Sequence, residues 1–110
     1  AAGVDTLLSR KVNFTALVAS NDDMAIGAMK QLHEHGVSVP AQVSVIGFDD
    51  IALAAYTIPA LSSVKIPVTE MIQETIGRLI FMLGDGAFTP PKTFTGELIQ
   101  RDSVAPPASR

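Results

Sequence analysis

The sequence predicts an α/β fold whose sheet is parallel. Two apolar runs, FTALVAS at Phe14–Ser20 and QVSVIGF at Gln42–Phe48, contain β-branched residues and no charge, which is typical of strands buried on both faces. The residues between them carry helical periodicity. A strand, helix, strand order with apolar strands favours a right-handed βαβ unit and a parallel sheet.

The helix of this unit has signals at both of its ends. Ser20, with Asp23 three residues later, resembles a capping box at the start, and Gly36 ends the helix. A weaker helix precedes the first strand at Val4–Arg10. The core face of the middle helix follows i, i+3, i+4, i+7 spacing: Ala25, Ala28, Met29 and Leu32.

The second half of the chain predicts a strand, a long helix and a last strand. Ser62–Pro67 favours the strand, Val68–Leu83 is the clearest helix, and Thr93–Ile99 can form the last strand. Gly84-Asp85-Gly86 ends the long helix. We expect the proline-containing chain after Ser103 to be frayed. One apolar stripe runs along the long helix: Ile72, Ile76, Leu79, Ile80 and Leu83.

Composition excludes several classes of function for this segment. The chain has 110 residues, a net charge of −3 and scattered basic side chains, so we do not expect it to contact DNA or RNA itself. The absence of cysteine excludes thiol catalysis and thiolate metal ligands. No apolar run reaches the ~18–20 residues of a membrane span. Charged residues are 17%, against a norm of about 25%, which predicts that part of the surface is buried against a partner subunit or further sequence.

Polar residues follow both strands of the βαβ unit, at the edge where an open parallel sheet binds ligands. Asn21 comes after the first strand, and Phe48 and Asp49 close the second. Amide and carboxylate groups suit neighbouring hydroxyls of a sugar or nucleoside, and the Phe48 ring can pack on an apolar ligand face. Alternatively, such residues cap helices or form turns, a choice that stays open for Asn21 and Asp49. The cap or turn role is favoured for three further acids: Asp22, Asp23 and Asp50.

Other chemistry has little support in the sequence. His33 and His35 lie two residues apart on a helix and do not face each other, so we expect both to be solvated. No phosphate loop, nucleophile–base pair or third metal ligand accompanies Asp49-Asp50, so we predict neither an enzyme nor a cofactor or metal site. Three apolar residues widen the core face of the middle helix: Met24, Ile26 and Met29. They indicate either a subunit interface or fuller coverage within the domain.

Three motifs in a fixed order resemble one family of bacterial regulators. NDDMA at Asn21–Ala25 is followed by VPAQVSVIGFDD at Val39–Asp50 and by YTIPALSSVKIP at Tyr56–Pro67. From about residue 12 to residue 104 the chain is similar to the C-terminal part of the lactose-repressor/galactose-repressor family of transcription factors. The resemblance implies a periplasmic-binding-protein-like core of two lobes that holds a small effector, usually a sugar, in the cleft between them.

The resemblance also implies roles for individual residues. Asn21 matches the family's asparagine that contacts the effector, Asp49 matches the aspartate that hydrogen-bonds it, and Phe48 lies beside it at the pocket. Ile66 lies where several sugar-binding relatives carry a polar Gln, which implies a different or more apolar ligand, such as an aryl glucoside. A homodimer surface is implied on the middle helix and on Ala52–Ile58, with these contact positions: Met24, Ile26, Met29, Tyr56 and Thr57.

The resemblance finally divides the chain and implies a function. Residues 1–66 would belong to the C-terminal effector-binding lobe, residues 67–92 to a crossover helix on the N-terminal lobe, and residues 93–110 to a return strand and frayed tail. The implied protein is a cytoplasmic, dimeric repressor that responds to a sugar such as a β-glucoside and binds operator DNA through a helix-turn-helix headpiece absent from these residues. We expect the chain alone to bind effector poorly. The alternative is a periplasmic sugar-binding protein of a transporter.

Overall fold

The computed structural model describes residues 2–84 and 86–108, so Asp85 of the predicted helix end lies outside the described residues. Helices and strands alternate, which confirms the predicted α/β class. No helix in the described ranges is long and apolar enough to span a membrane. The elements in chain order are α1 (Ala2–Ser9), β1 (Ala16–Val18), α2 (Asp22–Glu34), β2 (Ser44–Ile46), a 3-10 helix (Ala52–Ala55), β3 (Ser63–Lys65), α3 (Val68–Leu83) and β4 (Glu97–Ile99).

The chain divides into two compact units. The first unit comprises Ala1–Lys65 and Leu98–Arg110, and the second comprises Ile66–Glu97. The first unit therefore holds α1, α2 and the β1–β2 pair, whereas the second holds α3 and the segment that follows it.

The strands β1 and β2 pair in parallel, as predicted. Their register places Ala16 opposite Ser44 and Val18 opposite Ile46. A further parallel bridge joins Ile46 to Ser62, immediately before β3, and β3 pairs with β4. The carboxyl ends of β1 and β2 consequently lie side by side at one edge of the sheet.

The prediction that the first strand is buried on both faces is wrong for β1. Ala16 is exposed, Leu17 is half-buried and Val18 is 79% exposed. Ala16 and Val18 project from the same face of the strand, so their exposure shows that this face of β1 is uncovered within the described part of the chain. The strand has the apolar composition that predicted burial on both faces, but only one of its faces is packed against other residues.

The core of the first unit lies between α2 and the β1–β2 pair. The predicted face of α2 is confirmed, because Ala25 and Leu32 are fully buried and Ala28 and Met29 are at most 7% exposed. Leu8, Phe14 and Leu17 are half-buried against this core. The remaining buried apolar side chains come from α1, the strands and the segments around them: Val4, Ala19, Val43, Val45, Ala54 and Leu61.

Helix α2 begins one residue later than the predicted capping box. Asn21, not Ser20, is the N-cap residue: its backbone is extended, and its side-chain Oδ1 accepts the Met24 N–H at 2.8 Å. The C-terminal end matches the prediction at Gly36, whose φ is +72°. Gly36 N–H donates to His33 O and the next N–H donates to Leu32 O, each at 2.9 Å, which is the Schellman pattern.

A polar contact joins α1 to α2. Asp5 Oδ1 lies 2.9 Å from His35 Nε2 and accepts the Gln31 side-chain N–H at 3.2 Å. His35 is therefore a hydrogen-bond partner of Asp5, and its side chain stays 46% exposed, in line with the predicted solvation. The hydrogen bond with His35, and to a smaller extent that from Gln31, holds the pKa of Asp5 below its ordinary value.

The second unit is built around α3, whose bounds Val68–Leu83 are those predicted. Arg78 ties the helix to the following segment by donating from its guanidinium to the carbonyl oxygens of Thr89 and Pro90. None of the helix residues, all of them described, is buried. The apolar stripe from Ile72 to Leu83 is 51–78% exposed. The periodicity predicted the helix correctly, but the stripe is not covered.

The last segment of the chain, which belongs to the first unit, is hydrogen-bonded to β2. Ser44 Oγ donates to Ala105 O and accepts the Ala105 N–H, each at 3.0 Å. Fraying predicted after Ser103 therefore begins no earlier than Pro106, because the chain is hydrogen-bonded to β2 up to Ala105.

Replacing Asp5 should make stability less dependent on pH. In the chain as it stands, the carboxylate contributes stability that is fully present above its ordinary pKa of 3.8 and is lost as the pH falls through the lowered folded value. Asp5→Asn should therefore unfold at a slightly lower urea concentration at pH 6, and the difference should close as the pH falls below 3.8. The exposed Asp102→Asn serves as a matched control. A gap that stays the same from pH 6 down to the lowest pH of the series would contradict the linkage.

Candidate functional site

The residues predicted to contact an effector lie at one edge of the first unit. Val18 and Ile46 are paired neighbours at the ends of β1 and β2, so the residues that follow them leave the sheet together. The N–H of Asp22 donates to the Phe48 carbonyl at 3.0 Å. This bond joins the start of α2 to the segment after β2, and it brings Asn21 and Phe48-Asp49 to the same edge.

Asn21 combines the two roles that the sequence left open. Its Oδ1 is used in capping α2 through the Met24 N–H. Its side-chain NH₂ has no hydrogen-bond partner among the described residues, and the residue is half-buried. An amide has two N–H donors besides its oxygen. The cap therefore leaves the donors of Asn21 available to a ligand.

Asp49 sits in a conformation that non-glycine residues rarely adopt. Its φ is 110° and that of Asp50 is 55°, and such positions cost about 1–3 kcal/mol each unless the surroundings hold them. Asp49 is exposed, and its N–H donates to Val64 O at 2.9 Å. Phe48 beside it is 39% exposed. The edge thus presents an exposed carboxylate and part of an aromatic ring next to each other.

Asp22 has a larger structural role than the cap or turn predicted for it. The residue is completely buried, its Oδ1 accepts the Ser63 hydroxyl at 2.6 Å, and its Oδ2 accepts the Ile51 N–H at 2.8 Å. Gly47 is required beside it, since a Cβ at that position would lie 3.1 Å from Asp22 Cα and would collide with Oδ1. The carboxylate consequently fixes α2, the segment after β2 and β3 relative to one another.

Buried serines extend this network, and the sequence analysis did not anticipate them. Ser103 Oγ donates to Val45 O at 2.6 Å and accepts the Ser62 N–H at 2.8 Å. Ser63 Oγ accepts the Asp50 N–H at 3.0 Å while donating to Asp22. Serine is commonly exposed, and no local pattern distinguishes these serines from surface ones.

Arg101 is a further unanticipated participant. Its Nη2 lies 2.7 Å from Asp50 Oδ1, at ion-pair distance but without hydrogen-bond alignment. Its Nη1 donates to Leu61 O and its backbone N–H donates to Ser62 Oγ, each at 2.8 Å. The turn predicted at Asp50 is therefore linked by charge to the last segment of the chain.

The described ranges contain no cluster of three or more His, Asp or Glu side chains that could hold a metal ion. The edge offers polar groups for hydrogen bonding and an aromatic ring for stacking. Those groups suit a neutral, hydroxylated ligand.

Comparison with known proteins decides the family. The periplasmic binding protein-like domain family matches residues 2–104. A lactose operon repressor from Rhizobium radiobacter is 33% identical over 94% of this chain and 92% of its own length. The chain belongs to the lactose-repressor/galactose-repressor family. The transcriptional regulator AscG of Escherichia coli is 75% identical over 98% of the chain and 32% of its own length, and GalR of the same organism is 39% identical over 93% and 30%. The chain thus spans about a third of the length of these two regulators.

Solved structures of family members have the same fold. A sugar-binding LacI-family regulator from Escherichia coli, in complex with phosphate, superposes with a TM-score of 0.87 at 77% identity over 96% of this chain and 38% of that one. The Escherichia coli repressor AscG gives 0.83 at 76% identity over 94% and 38%, and a dimeric Lac repressor gives 0.87 at 28% identity over 96% and 39%. The predicted family and the periplasmic-binding-protein-like fold are confirmed, and the chain is closely similar to AscG.

The positions that the family resemblance assigns to a dimer surface lie beside two grooves. Ile26, Met29 and Thr57 line a groove of about 400 Å³ between α2 and the segment after the 3-10 helix. Met29 is only 7% exposed and belongs mainly to the core. Met24 is 54% exposed but lines a different groove, beside α1 and β1, and Tyr56 is 80% exposed next to the first groove.

Asp22→Asn should destabilise the chain by about 1–3 kcal/mol, because an amide replaces one acceptor oxygen and leaves a buried donor unpaired. Urea unfolding followed by circular dichroism measures the loss. Asp23→Asn changes the neighbouring exposed acid and should stay within about 0.5 kcal/mol of the parent chain. Equal stabilities of the two variants would contradict the role given to Asp22.

Proposed function

We propose that the chain is the effector-binding and dimerisation region of a sugar-responsive transcriptional repressor, with a β-glucoside as its effector. The observation that carries the proposal is the meeting of Asn21, Phe48 and Asp49 at one sheet edge in a chain 75% identical to AscG. In the longer protein, operator DNA would be bound by a headpiece outside these residues. Such a repressor works in the cytoplasm.

Each of the three residues makes a different contact with the proposed glucoside. The free N–H donors of Asn21 reach a sugar oxygen, and the Asp49 carboxylate accepts from one or two hydroxyls. The exposed part of the Phe48 ring covers the apolar face of the sugar or its aglycone. Hydrogen bonds to a charged acceptor contribute about 1.5–3 kcal/mol, so Asp49 should carry the largest single share of the polar affinity.

The division into residues 1–66, 67–92 and 93–110 stays part of the proposal. The uncovered apolar stripe of α3, 51–78% exposed, supports a helix made to pack on a lobe that these residues do not contain. The uncovered face of β1 supports the same view of the first unit. An effector bound at the sheet edge would act through unequal affinity for two arrangements of the lobes.

The surface around the 400 Å³ groove supports a homodimer. Ile58 lines the groove and is 99% exposed, and Tyr56 and Leu53, close to it in the chain, are 80% and 53% exposed. Large apolar side chains that are this exposed and this close together mark interaction surfaces. A monomeric transporter protein, the alternative function, has no need for them.

The effector role is tested in a chimera. These residues replace the matching segment of Escherichia coli AscG, so that the chain acts within a complete regulator. Calorimetry with salicin, arbutin and cellobiose should show binding by the parent chimera, and Asp49→Ala should weaken it about 10- to 100-fold. A reporter behind an AscG-controlled promoter should keep its repression in this variant and lose its response to the sugar.

Asp23→Ala, which removes an exposed acid two residues from Asn21, is the matched control and should leave affinity unchanged. Lactose and galactose test the class of sugar. Unchanged glucoside affinity in Asp49→Ala would refute the proposed site. Tighter binding of galactose than of the glucosides would refute only the proposal that the effector is a β-glucoside.

The dimer surface is tested in the same chimera by sedimentation. Ile58→Asp places a charge where the proposal buries an apolar side chain, so the dimer dissociation constant should rise at least about tenfold. Val12→Asp alters another exposed apolar residue, 44% exposed and outside the groove, and should not affect assembly. Equal effects of the two changes would contradict this surface.

A further inference from the structure

The turn at Asp49-Asp50 has a conformation that its own residues do not favour. Both φ angles are positive, and neither residue is glycine. Hydrogen bonds along the β3 side fix its backbone: Asp49 N–H donates to Val64 O at 2.9 Å, and Asp50 N–H donates to Ser63 Oγ at 3.0 Å. A conformation of this kind persists only where the surroundings over-determine it.

Arg101 reaches the same turn from the last segment of the chain. Its guanidinium lies 2.7 Å from the Asp50 carboxylate and also donates to Leu61 O. Both charged side chains are mostly buried, with 20% of Arg101 and 13% of Asp50 exposed. Surface ion pairs contribute little because water screens them. This pair is sheltered from water, and its guanidinium is anchored on a backbone carbonyl.

We propose that Arg101 is a positioning residue for the effector contact at Asp49. The Asp49 carboxylate has no partner among the described residues, so its direction depends on the backbone that carries it. Arg101 holds the next carboxylate along the chain, that of Asp50, and thereby fixes the rotation of the turn. The inference rests on the proposed function of Asp49 and extends it to a residue 52 positions later in the sequence.

The shape of the arginine side chain suits this task. Its planar fork donates one N–H to the Leu61 carbonyl, and this anchor holds the second arm 2.7 Å from the Asp50 carboxylate. A lysine would keep the charge without the fork. Arg101→Lys should therefore preserve part of the effect that Arg101→Gln loses.

Hydrogen exchange of the AscG chimera without ligand measures how strongly Arg101 restrains the backbone of the turn. Peptides covering Phe48–Ile51 should exchange at least about tenfold faster in Arg101→Gln than in the parent. Ser44→Ala is the matched control, because it removes the hydrogen bonds that hold the same last segment at Ala105 but does not touch the turn. Exchange of Phe48–Ile51 that is unchanged in Arg101→Gln, or equally faster in Ser44→Ala, overturns the proposal.

Calorimetry then connects the turn to binding. With the glucoside that the parent chimera binds most tightly, the dissociation constant should rise at least about tenfold in Arg101→Gln, less in Arg101→Lys, and not at all in Ser44→Ala. Asp50→Asn should match Arg101→Gln, and the double variant should add nothing further. Faster exchange with unchanged affinity overturns the positioning role. A parent chimera that binds none of the sugars refutes the proposed function instead, while the exchange result still decides whether Arg101 holds the turn.

Discussion

The buried carboxylate of Asp22 is the interaction on which the arrangement of the first unit depends. A carboxylate removed from water must find hydrogen-bond donors, and Asp22 finds them in the Ser63 hydroxyl and the Ile51 N–H. It also lies in the first turn of α2, where the helix dipole favours negative charge. Its own backbone N–H donates to Phe48. The sheet edge that carries Asn21, Phe48 and Asp49 is assembled around this one side chain, and Gly47 leaves the room for it.

Local signals explain which elements could be predicted. The bounds of α3 follow from periodicity, with Pro67 before it and Gly84 after it. The end of α2 follows from Gly36, whose left-handed backbone suits glycine. Its start was one residue off because Ser20 and Asn21 are both good caps, and only the backbone geometry distinguishes them. The edge holding Asn21 and Asp49 was predictable from parallel topology, since the carboxyl ends of parallel strands meet there.

The remaining features depend on distant partners that a local pattern does not contain. Asp22 bonds residues 29 and 41 positions away, and the contact between Arg101 and Leu61 spans 40. Exposure of Val18 and of the α3 stripe depends on what covers them, and the apolar pattern is the same in either case. Burial is therefore the property that the sequence predicted least well, although the element types were correct.

The cap made by Asn21 has a consequence for ligand affinity. A polar side chain that is free to rotate loses about 0.5–1.5 kcal/mol of conformational freedom when a ligand immobilises it. The hydrogen bond from Met24 already fixes the Asn21 side chain in the unliganded fold, so this entropy is lost during folding rather than during binding. Under the proposed function, the start of the helix presents a preorganised donor, and a ligand hydroxyl gains its hydrogen bond without this entropy cost.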